Sequence, residues 1–495
     1  MSEAAPEPRP RGGVFSHAII FGLAPLLQKI VGLVLLPFYT HFLSPRDYGE
    51  IDVLTIATGA VGLIFSLELR QGYIRAWIAA PDRAAKARLY SAAAGLLGLL
   101  GLLGSIGFFA ASRPLAHALL GRDLAWPYRA VVASGVFFYV ANMVPSATLQ
   151  ADLRAGRMVS ISLLQFICAA TTTIVAVVWL GLGPEGFFLG GAVAAALGIG
   201  AIGWMLRDLM VWRVDPWATL AGPLVYALPL LFSGIGYFIV RNSDRFLVSR
   251  LMSVADLGLY SLAWSLANLL LTFVFLPLQT SLDVWRFRMH QQGGQEAAFA
   301  RVLRSANLLT AIAAIGLCSF AADAFAFSAD ARYGKAMLYV PVLAAAVLLQ
   351  VGYTVVASPF FVKGSTREWA WVQAGAAVLQ VGATLAMVPL LGVLGAAIAN
   401  VVTNGFLYAM AALRGPRHWA VPFDHRAVLT VIALGTALSM ARRFTPIDSL
   451  LLAGLADAAT CLAFLLALWA LGLARPGEIA ELLAPLWQKL RARFA

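Results

Sequence analysis

The sequence has 495 residues, of which 61% are hydrophobic and only 12% are charged, and its mean hydropathy is +0.82. Soluble globular domains carry about 25% charged residues, so this composition excludes a soluble protein and favours one that lies in a membrane. The net charge of +12 comes from basic residues scattered over short loops. That distribution excludes the basic patch that a nucleic-acid partner requires.

Apolar segments of about 20 residues recur along the chain, as helices that cross a bilayer require. Within lipid, backbone N–H and C=O groups must bond each other, which only α-helices and closed β-barrels allow. The sequence shows no alternation of apolar and polar residues of the kind that barrel strands require. The predicted fold class is therefore an all-α integral membrane protein with about fourteen transmembrane helices. The predicted spans are 15–42, 51–74, 89–111, 128–150, 158–181, 186–206, 223–249, 257–283, 302–327, 338–362, 369–391, 394–413, 426–443 and 448–473.

Residues of two short motifs recur at a common offset of 209 residues. The matched pairs are Ser44 and Ser253, Asp47 and Asp256, Gly49 and Gly258, Gly183 and Gly392, and Gly186 and Gly395. Two motifs that share one offset indicate a duplicated unit of six spans, which is typical of transporters with a substrate site between two halves. The first motif also predicts helix caps, with Ser44 at the N-cap, Pro45 at the first helical position and Asp47 three residues on.

Six spans is an even number, so the two halves are predicted to be parallel repeats related by an axis along the membrane normal. The N-lobe is expected over 14–214 and the C-lobe over 215–422, with two extra helices in 423–473. The leading segment 1–13 is predicted to be disordered in the cytoplasm. The tail 474–495 is amphipathic and is expected to lie on the cytoplasmic membrane surface.

The basic residues are distributed unevenly between the two sides of this topology. Loops on the amino-terminal side hold 23 of the 36 Lys and Arg residues, and loops on the other side hold 9. The positive-inside rule therefore predicts that both termini lie in the cytoplasm.

Six of the ionisable residues within the predicted spans are selected as candidates, because an ionisable group at membrane depth is unfavourable by roughly 2.5–3.5 kcal/mol and so indicates a function. They are Lys29, Arg70, Arg241, Arg245, Glu68 and Asp244. The cations outnumber the acids, and a cavity of that sign suits an anionic substrate. Simpler interpretations stay open: Asp244 can pair with either arginine of its own helix, and Arg70 can extend to the cytoplasmic end of its span.

Neutral polar residues at membrane depth are candidate sugar contacts, or alternatively contacts between helices. Those selected are Gln28, Asn142, Asn400 and Asn404. The sequence contains no Ser/His/Asp set, no metal-ligand spacing and no phosphate-binding Gly-Lys loop. We therefore expect a transporter without catalytic residues, metal, cofactor or direct use of ATP.

Several segments resemble polysaccharide-biosynthesis flippases of the multidrug/oligosaccharidyl-lipid/polysaccharide (MOP) exporter superfamily. The segment 35–49, LLPFYTHFLSPRDYG, is similar to the opening of that family. The segments 242–248 and 256–260 are similar to the start of its second half, and 392–397 to its eleventh-to-twelfth helix turn. The resemblance covers nearly the whole chain.

The resemblance implies two six-helix lobes around a central cavity, which exports polyprenyl-pyrophosphate-linked oligosaccharide to the outer leaflet by alternating access. In the family, cations of the first, second and seventh or eighth helices hold the pyrophosphate; here that role falls to Lys29, Arg70, Arg241 and Arg245. The implied partners are an undecaprenyl-pyrophosphate-linked glycan, membrane lipids and polysaccharide polymerase or assembly proteins. The implied location is the bacterial inner membrane, with transport coupled to the membrane potential, H+ or Na+. The resemblance implies a role in the biosynthesis of a surface polysaccharide, which is O-antigen, capsule or exopolysaccharide.

Three alternatives remain open at this point. A cation-coupled multidrug-type exporter would require an anionic cavity, whereas this interior is cationic. A lipid II flippase of cell-wall synthesis shares the superfamily. A membrane polymerase or acyltransferase would need a large external loop or an intramembrane His/Asp pair, and the sequence contains neither.

Overall fold

The computed structural model describes residues 39–152, 155–275, 296–321, 331–362, 366–443 and 449–473, with Arg286, Gly294 and Thr445 between them. These residues are predominantly α-helical, and the described ranges contain no β-strand. The predicted leader 1–13 and amphipathic tail 474–495 lie outside them, as does most of the first predicted span.

The helices of the first half are α1 (Pro45–Ser66), α2 (Leu69–Ala79), α3 (Arg83–Leu120), α4 (Trp126–Ala141), α5 (Met143–Ala151), α6 (Ala155–Ile174) and α7 (Pro184–Met205). Those that follow are α8 (Pro216–Leu251), α9 (Val254–Leu270), α10 (Glu296–Gly316), α11 (Val340–Val356), α12 (Ser358–Val362), α13 (Thr366–Leu391), α14 (Val393–Arg414), α15 (His425–Arg443) and α16 (Leu450–Ala470). Turns of π-helix extend α6, α9 and α10.

Within the described residues, 12 helices are long and apolar enough to cross a membrane. They coincide with the predicted spans two to twelve and fourteen, which confirms an all-helical, multi-pass membrane protein. Predicted span thirteen forms α15, which is not among those 12 helices. The total of fourteen spans stays a prediction.

Three predicted spans are each divided into two helices, and one of them is span ten, which divides at Ala357 between α11 and α12. Span two breaks between α1 and α2, where Leu67 and Glu68 adopt positive φ values of 53° and 48°. Span four breaks at Asn142, between α4 and α5. Pro145 lies in the first turn of α5 and has no backbone N–H to bond the carbonyl of Ala141, which explains the second break.

The serine of the repeated motif forms a helix cap in both halves. Ser44 and Asp47 form a reciprocal cap, in which the Asp47 N–H donates to the Ser44 hydroxyl at 3.2 Å and the Ser44 N–H donates to the Asp47 carboxylate at 2.8 Å. The Asp256 N–H likewise donates to the Ser253 hydroxyl at 3.1 Å. These contacts confirm the predicted capping boxes.

The glycine motif also repeats its backbone geometry. Gly183 has φ 54° and ψ −131°, and Gly392 has φ 61° and ψ −144°, a region that only glycine enters readily. At Gly395 an added Cβ would lie 2.2 Å from the Met387 carbonyl oxygen. The glycines therefore permit the turn into α14 and its close packing on α13.

By internal contacts, the described residues from Leu54 to Ile235 form one compact unit, and 39–53 together with 236–473 form a second. Within the second unit, α1 and α9 approach each other closely through repeat-related residues. A Cβ added to Gly49 would lie 1.7 Å from the Val254 carbonyl oxygen, and one added to Gly258 would lie 1.8 Å from that of Pro45. Because Pro45 and Val254 are also 209 residues apart, α1 and α9 meet through equivalent residues.

Candidate functional site

In the first unit, the second halves of the two broken spans, α2 and α5, are joined by polar contacts. The Arg70 guanidinium donates to Gln150 Oε1 at 2.6 Å. Tyr73 and Thr148 share a buried hydroxyl–hydroxyl bond of 2.6 Å. The next turn of α2 adds Trp77, whose indole N–H donates to the Asp152 carboxylate at 2.9 Å. The half-buried Arg70 is thus held beside a neutral amide, and it forms no ion pair with the residues that the structure describes.

Glu68 and Asn142 both lie where a span breaks. Glu68 has a left-handed backbone conformation and makes no side-chain cap to α2. Its carboxylate lies against Gly234 of α8, where an added Cβ would be 3.2 Å from Oε1. Asn142 Oδ1 is buried without a hydrogen-bond partner among the described residues. The first unit therefore places an acid, a cation and a free amide oxygen at interrupted helices.

The second unit contains a buried polar cluster around Asp244, which we call the Asp244 cluster. Asp244, Tyr260 and Asn400 are 1%, 0% and 7% exposed. The Tyr260 hydroxyl donates to Asp244 Oδ2, and the Asn400 amide donates to the same oxygen and to the Tyr260 oxygen, each at 2.9 Å. Asp244 Oδ1 is buried and has no hydrogen-bond partner in the described part of the chain.

A second acid lies next to this cluster and holds Arg245. The Arg245 guanidinium donates to Asp52 Oδ1 at 3.1 Å, and both side chains are 17% exposed. Ser261 donates to the other Asp52 oxygen at 2.6 Å. The Trp264 ring lies 5.8 Å from the Arg245 guanidinium carbon. The charge of Arg245 is therefore compensated by Asp52.

Arg241 and Asn404 complete the predicted residues of the second unit. Arg241 is half-buried on α8. No ion pair of Arg241 is found among the described residues. Asn404 donates to the Asn400 carbonyl at 2.9 Å, a bond within α14. Gln28 and Lys29 lie outside the described residues.

The predicted pairing of Asp244 with an arginine of its own helix differs from the contacts observed. Asp244 accepts from Tyr260 and Asn400, and Arg245 pairs with Asp52 of α1. Adjacent residues of a helix point in different directions, so Asp244 and Arg245 select partners on different neighbouring helices.

Asp52, Tyr260 and Gln150 belong to these polar contacts but were not among the residues predicted from sequence. One signal was present for Asp52, since it lies 209 residues before Ser261, its hydrogen-bond partner. Equivalent residues of a repeat meet wherever a symmetry axis passes between them. Tyr260 ends the segment 256–260 that resembles the family, whereas the sequence pattern offers no comparable signal for Gln150.

Groups of three or more His, Cys, Asp or Glu side chains that could hold a metal ion are absent from the described ranges. Each unit, taken by itself, offers a half-buried arginine together with amide and hydroxyl groups. Such groups bind an anionic, hydroxyl-rich molecule by hydrogen bonds and electrostatic attraction.

A family model described as polysaccharide biosynthesis protein matches residues 39–328, which is more than half of the chain. No curated protein matches the sequence at a significant level.

Solved structures with the same fold are transporters. An inward-facing multidrug resistance MATE family transporter of the MOP superfamily has a TM-score of 0.60 at 18% identity, covering 81% of this chain and 97% of its own. The lipid II flippase MurJ, in an inward closed conformation, has a TM-score of 0.59 at 13% identity, covering 90% and 98%. A MOP superfamily transporter from Pyrococcus furiosus, described by the reverse polarity of its binding pocket, has a TM-score of 0.51 at 17% identity, covering 82% and 96%. At these identities the likeness establishes the fold.

Proposed function

The chain belongs to the polysaccharide biosynthesis protein family, and from this premise we propose that it is a flippase for polyprenyl-pyrophosphate-linked oligosaccharide. It would carry the lipid-linked glycan from the cytoplasmic to the outer leaflet of a bacterial inner membrane, with both termini in the cytoplasm. Alternating access of two six-helix lobes, 14–214 and 215–422, would move the glycan without catalysis. The product would serve O-antigen, capsule or exopolysaccharide assembly.

The observation that carries the proposal is that two half-buried arginines of apolar helices, Arg70 and Arg241, form no ion pair with the described residues. Arg70 is bonded to a neutral amide, and Arg241 has no ion pair in the described part of the chain. A pyrophosphate would supply negative charge to a guanidinium of this kind, through the bidentate hydrogen bonds that guanidinium groups favour. Lys29 is assigned the same role from its sequence position.

The remaining predicted residues take supporting roles in this proposal. Arg245 is less available to substrate because Asp52 already neutralises it, so we assign it a secondary contribution. Asn142 offers its free amide oxygen to a sugar hydroxyl. Asn400 is engaged with Asp244, so it would position the Asp244 cluster. Gln28 remains a proposed sugar contact.

Energy for transport is proposed to come from the membrane potential, alone or with H+ or Na+. Moving one charge through 100 mV is worth roughly 2.3 kcal/mol. A pyrophosphate with about two negative charges would therefore gain roughly 4–5 kcal/mol on leaving an inside-negative cytoplasm. The potential would thus favour export, and a coupled cation would mainly return the empty carrier.

A deletion strain complemented with variants tests the role of Arg241. We expect Arg241→Gln to reduce surface polysaccharide at least about tenfold at matched expression, since the loss of one charged hydrogen bond is worth about 1.5–3 kcal/mol. The matched control is Arg113→Gln, which removes an exposed arginine near the end of α3. Wild-type polysaccharide in the Arg241→Gln strain would contradict the assignment.

The same strain separates the alternative functions. Lipid-linked repeat units trapped in the cytoplasmic leaflet support the proposal, whereas trapped lipid II would identify a cell-wall flippase, as the MurJ fold likeness allows. Altered sensitivity to cationic drugs with normal polysaccharide would favour a multidrug exporter, which the MATE fold likeness allows.

A further inference from the structure

The loop between α7 and α8, residues 206–215, is a structured segment. Leu206 is 2% exposed, and Leu209 and Val214 pack against the hydrophobic core of the first unit. A 3-10 turn, Arg207–Leu209, follows α7 directly. Apolar side chains thus hold both ends of the loop against the helices.

Ser91 of α3 fixes the middle of this loop. Its hydroxyl donates to the Leu209 carbonyl at 2.9 Å and accepts from the Val211 N–H at 2.7 Å. One side chain therefore bonds both backbone groups that flank Met210. Because the backbone is held here, the residues that follow Val211 (Trp212 and Arg213) are exposed on the surface.

The outward face of the loop and its flanking turns carries three tryptophans. Trp204, Trp212 and Trp217 are 70%, 94% and 76% exposed. We call the surface of residues 204–217 the tryptophan–arginine surface. Large exposed rings at the ends of membrane spans are typical of the lipid headgroup region, where the ring contacts acyl chains and the N–H remains hydrated.

Cations lie among these rings. The Arg207 guanidinium lies 4.1 Å from the centre of the Trp204 ring, and Arg213 is exposed beside Trp212. Arg88 is exposed one turn before Ser91 on α3. Of the nearby acids, Asp215 is engaged in capping α8 through the Trp217 and Ala218 N–H groups, and Asp208 is 3.9 Å from Arg207.

We propose that the tryptophan–arginine surface binds the phosphate headgroups of anionic phospholipids. The rings would enter the interface of the leaflet at this end of α7 and α8, and the arginines would contact the lipid phosphates. The partner is a lipid and not a soluble phosphate, because only a membrane also covers the three exposed indoles. The inference holds for either orientation of the protein and does not depend on the transported substrate.

Nanodiscs with the full-length protein test this proposal by lipid selection. Discs are assembled from phosphatidylcholine and phosphatidylglycerol, and the phosphatidylglycerol retained by the protein is measured for wild type and Arg207→Gln/Arg213→Gln. We expect the enrichment of phosphatidylglycerol over phosphatidylcholine to fall at least about fivefold in the variant. Each basic residue near an anionic membrane surface contributes roughly such a factor to binding. Arg113→Gln/Arg122→Gln, at the opposite end of α3, is the charge-matched control and should retain the enrichment. Equal selectivity in the wild type and the loop variant would overturn the proposal.

Fluorescence quenching locates the loop without relying on charge variants. Brominated phosphatidylglycerol should quench a component of the tryptophan emission that is absent from Trp212→Phe, and aqueous iodide should not quench it. Quenching of that component by iodide alone would place Trp212 in water and contradict the proposal. Folding of each variant is checked by its melting temperature.

Discussion

Gly49→Ala and Gly258→Ala are each expected to destabilise the protein by more than about 3 kcal/mol. The added methyl group would lie 1.7 Å from the Val254 carbonyl oxygen in the first variant and 1.8 Å from the Pro45 carbonyl oxygen in the second. Both obstacles are backbone atoms, which cannot move aside by changing a rotamer. Relief therefore requires that α1 and α9 separate at their first turns, which would disturb the nearby bond between Asp52 and Ser261.

Melting temperature and the monodisperse fraction after purification measure this effect. Gly95→Ala and Gly107→Ala are the matched controls, because both are helical glycines with no atom within 4 Å of an added Cβ. They should be neutral or stabilising by up to about 1 kcal/mol, since alanine is the better helix former. Equal melting temperatures for Gly49→Ala and its controls would show that the contact between repeat-related residues is not close in the folded protein.

Asp457→Leu is expected to be similarly damaging, at about 3–5 kcal/mol. Asp457 is 1% exposed on α16 and accepts from the Arg442 guanidinium at 2.8 Å, and Arg443 lies 3.9 Å away. Removal of the carboxylate leaves two arginine side chains, 6% and 8% exposed, without their acid. An uncompensated buried charge is more unfavourable than an absent ion pair.

The double variant Arg442→Leu/Asp457→Leu distinguishes a charge effect from a packing effect. It should recover part of the lost stability, because only Arg443 then remains, and its guanidinium still donates to the Ser319 carbonyl. Asp123→Leu, which replaces an exposed loop acid, should leave the free energy of unfolding within about 0.5 kcal/mol of the wild-type value. A double variant no more stable than Asp457→Leu would contradict the ion-pair account.

The ion pair between Arg442 and Asp457 also explains how the polar helix α15, which is predicted span thirteen, can lie in a membrane. Helix α15 carries Arg426, Arg442 and Arg443 and is too polar to qualify as a span by hydropathy. With Asp457 of α16 beside it, two of those charges are paired or hydrogen-bonded. Hydropathy treats each helix alone, so it cannot detect a polar helix whose charges are compensated by its neighbour.

The repeat made much of the local structure predictable. The offset of 209 residues correctly indicated the two capping boxes and the two glycine turns, because each depends on residues close together in the sequence. The break at Leu67 and Glu68 was not predicted, since no proline or glycine marks it. Neither was the Asp244 cluster, because its partners Tyr260 and Asn400 are 16 and 156 residues away. Contacts between helices depend on packing that a single sequence does not display.

Transport in sealed proteoliposomes tests the central claim most directly. Polyprenyl-pyrophosphate-linked oligosaccharide is placed in both leaflets, and its transfer is followed by a membrane-impermeant glycosidase while a potassium gradient with valinomycin sets the potential. The account predicts transfer that requires the protein, runs faster away from the negative side and slows with Arg241→Gln. Transfer at the protein-free rate, or transfer that is indifferent to the potential, would contradict it.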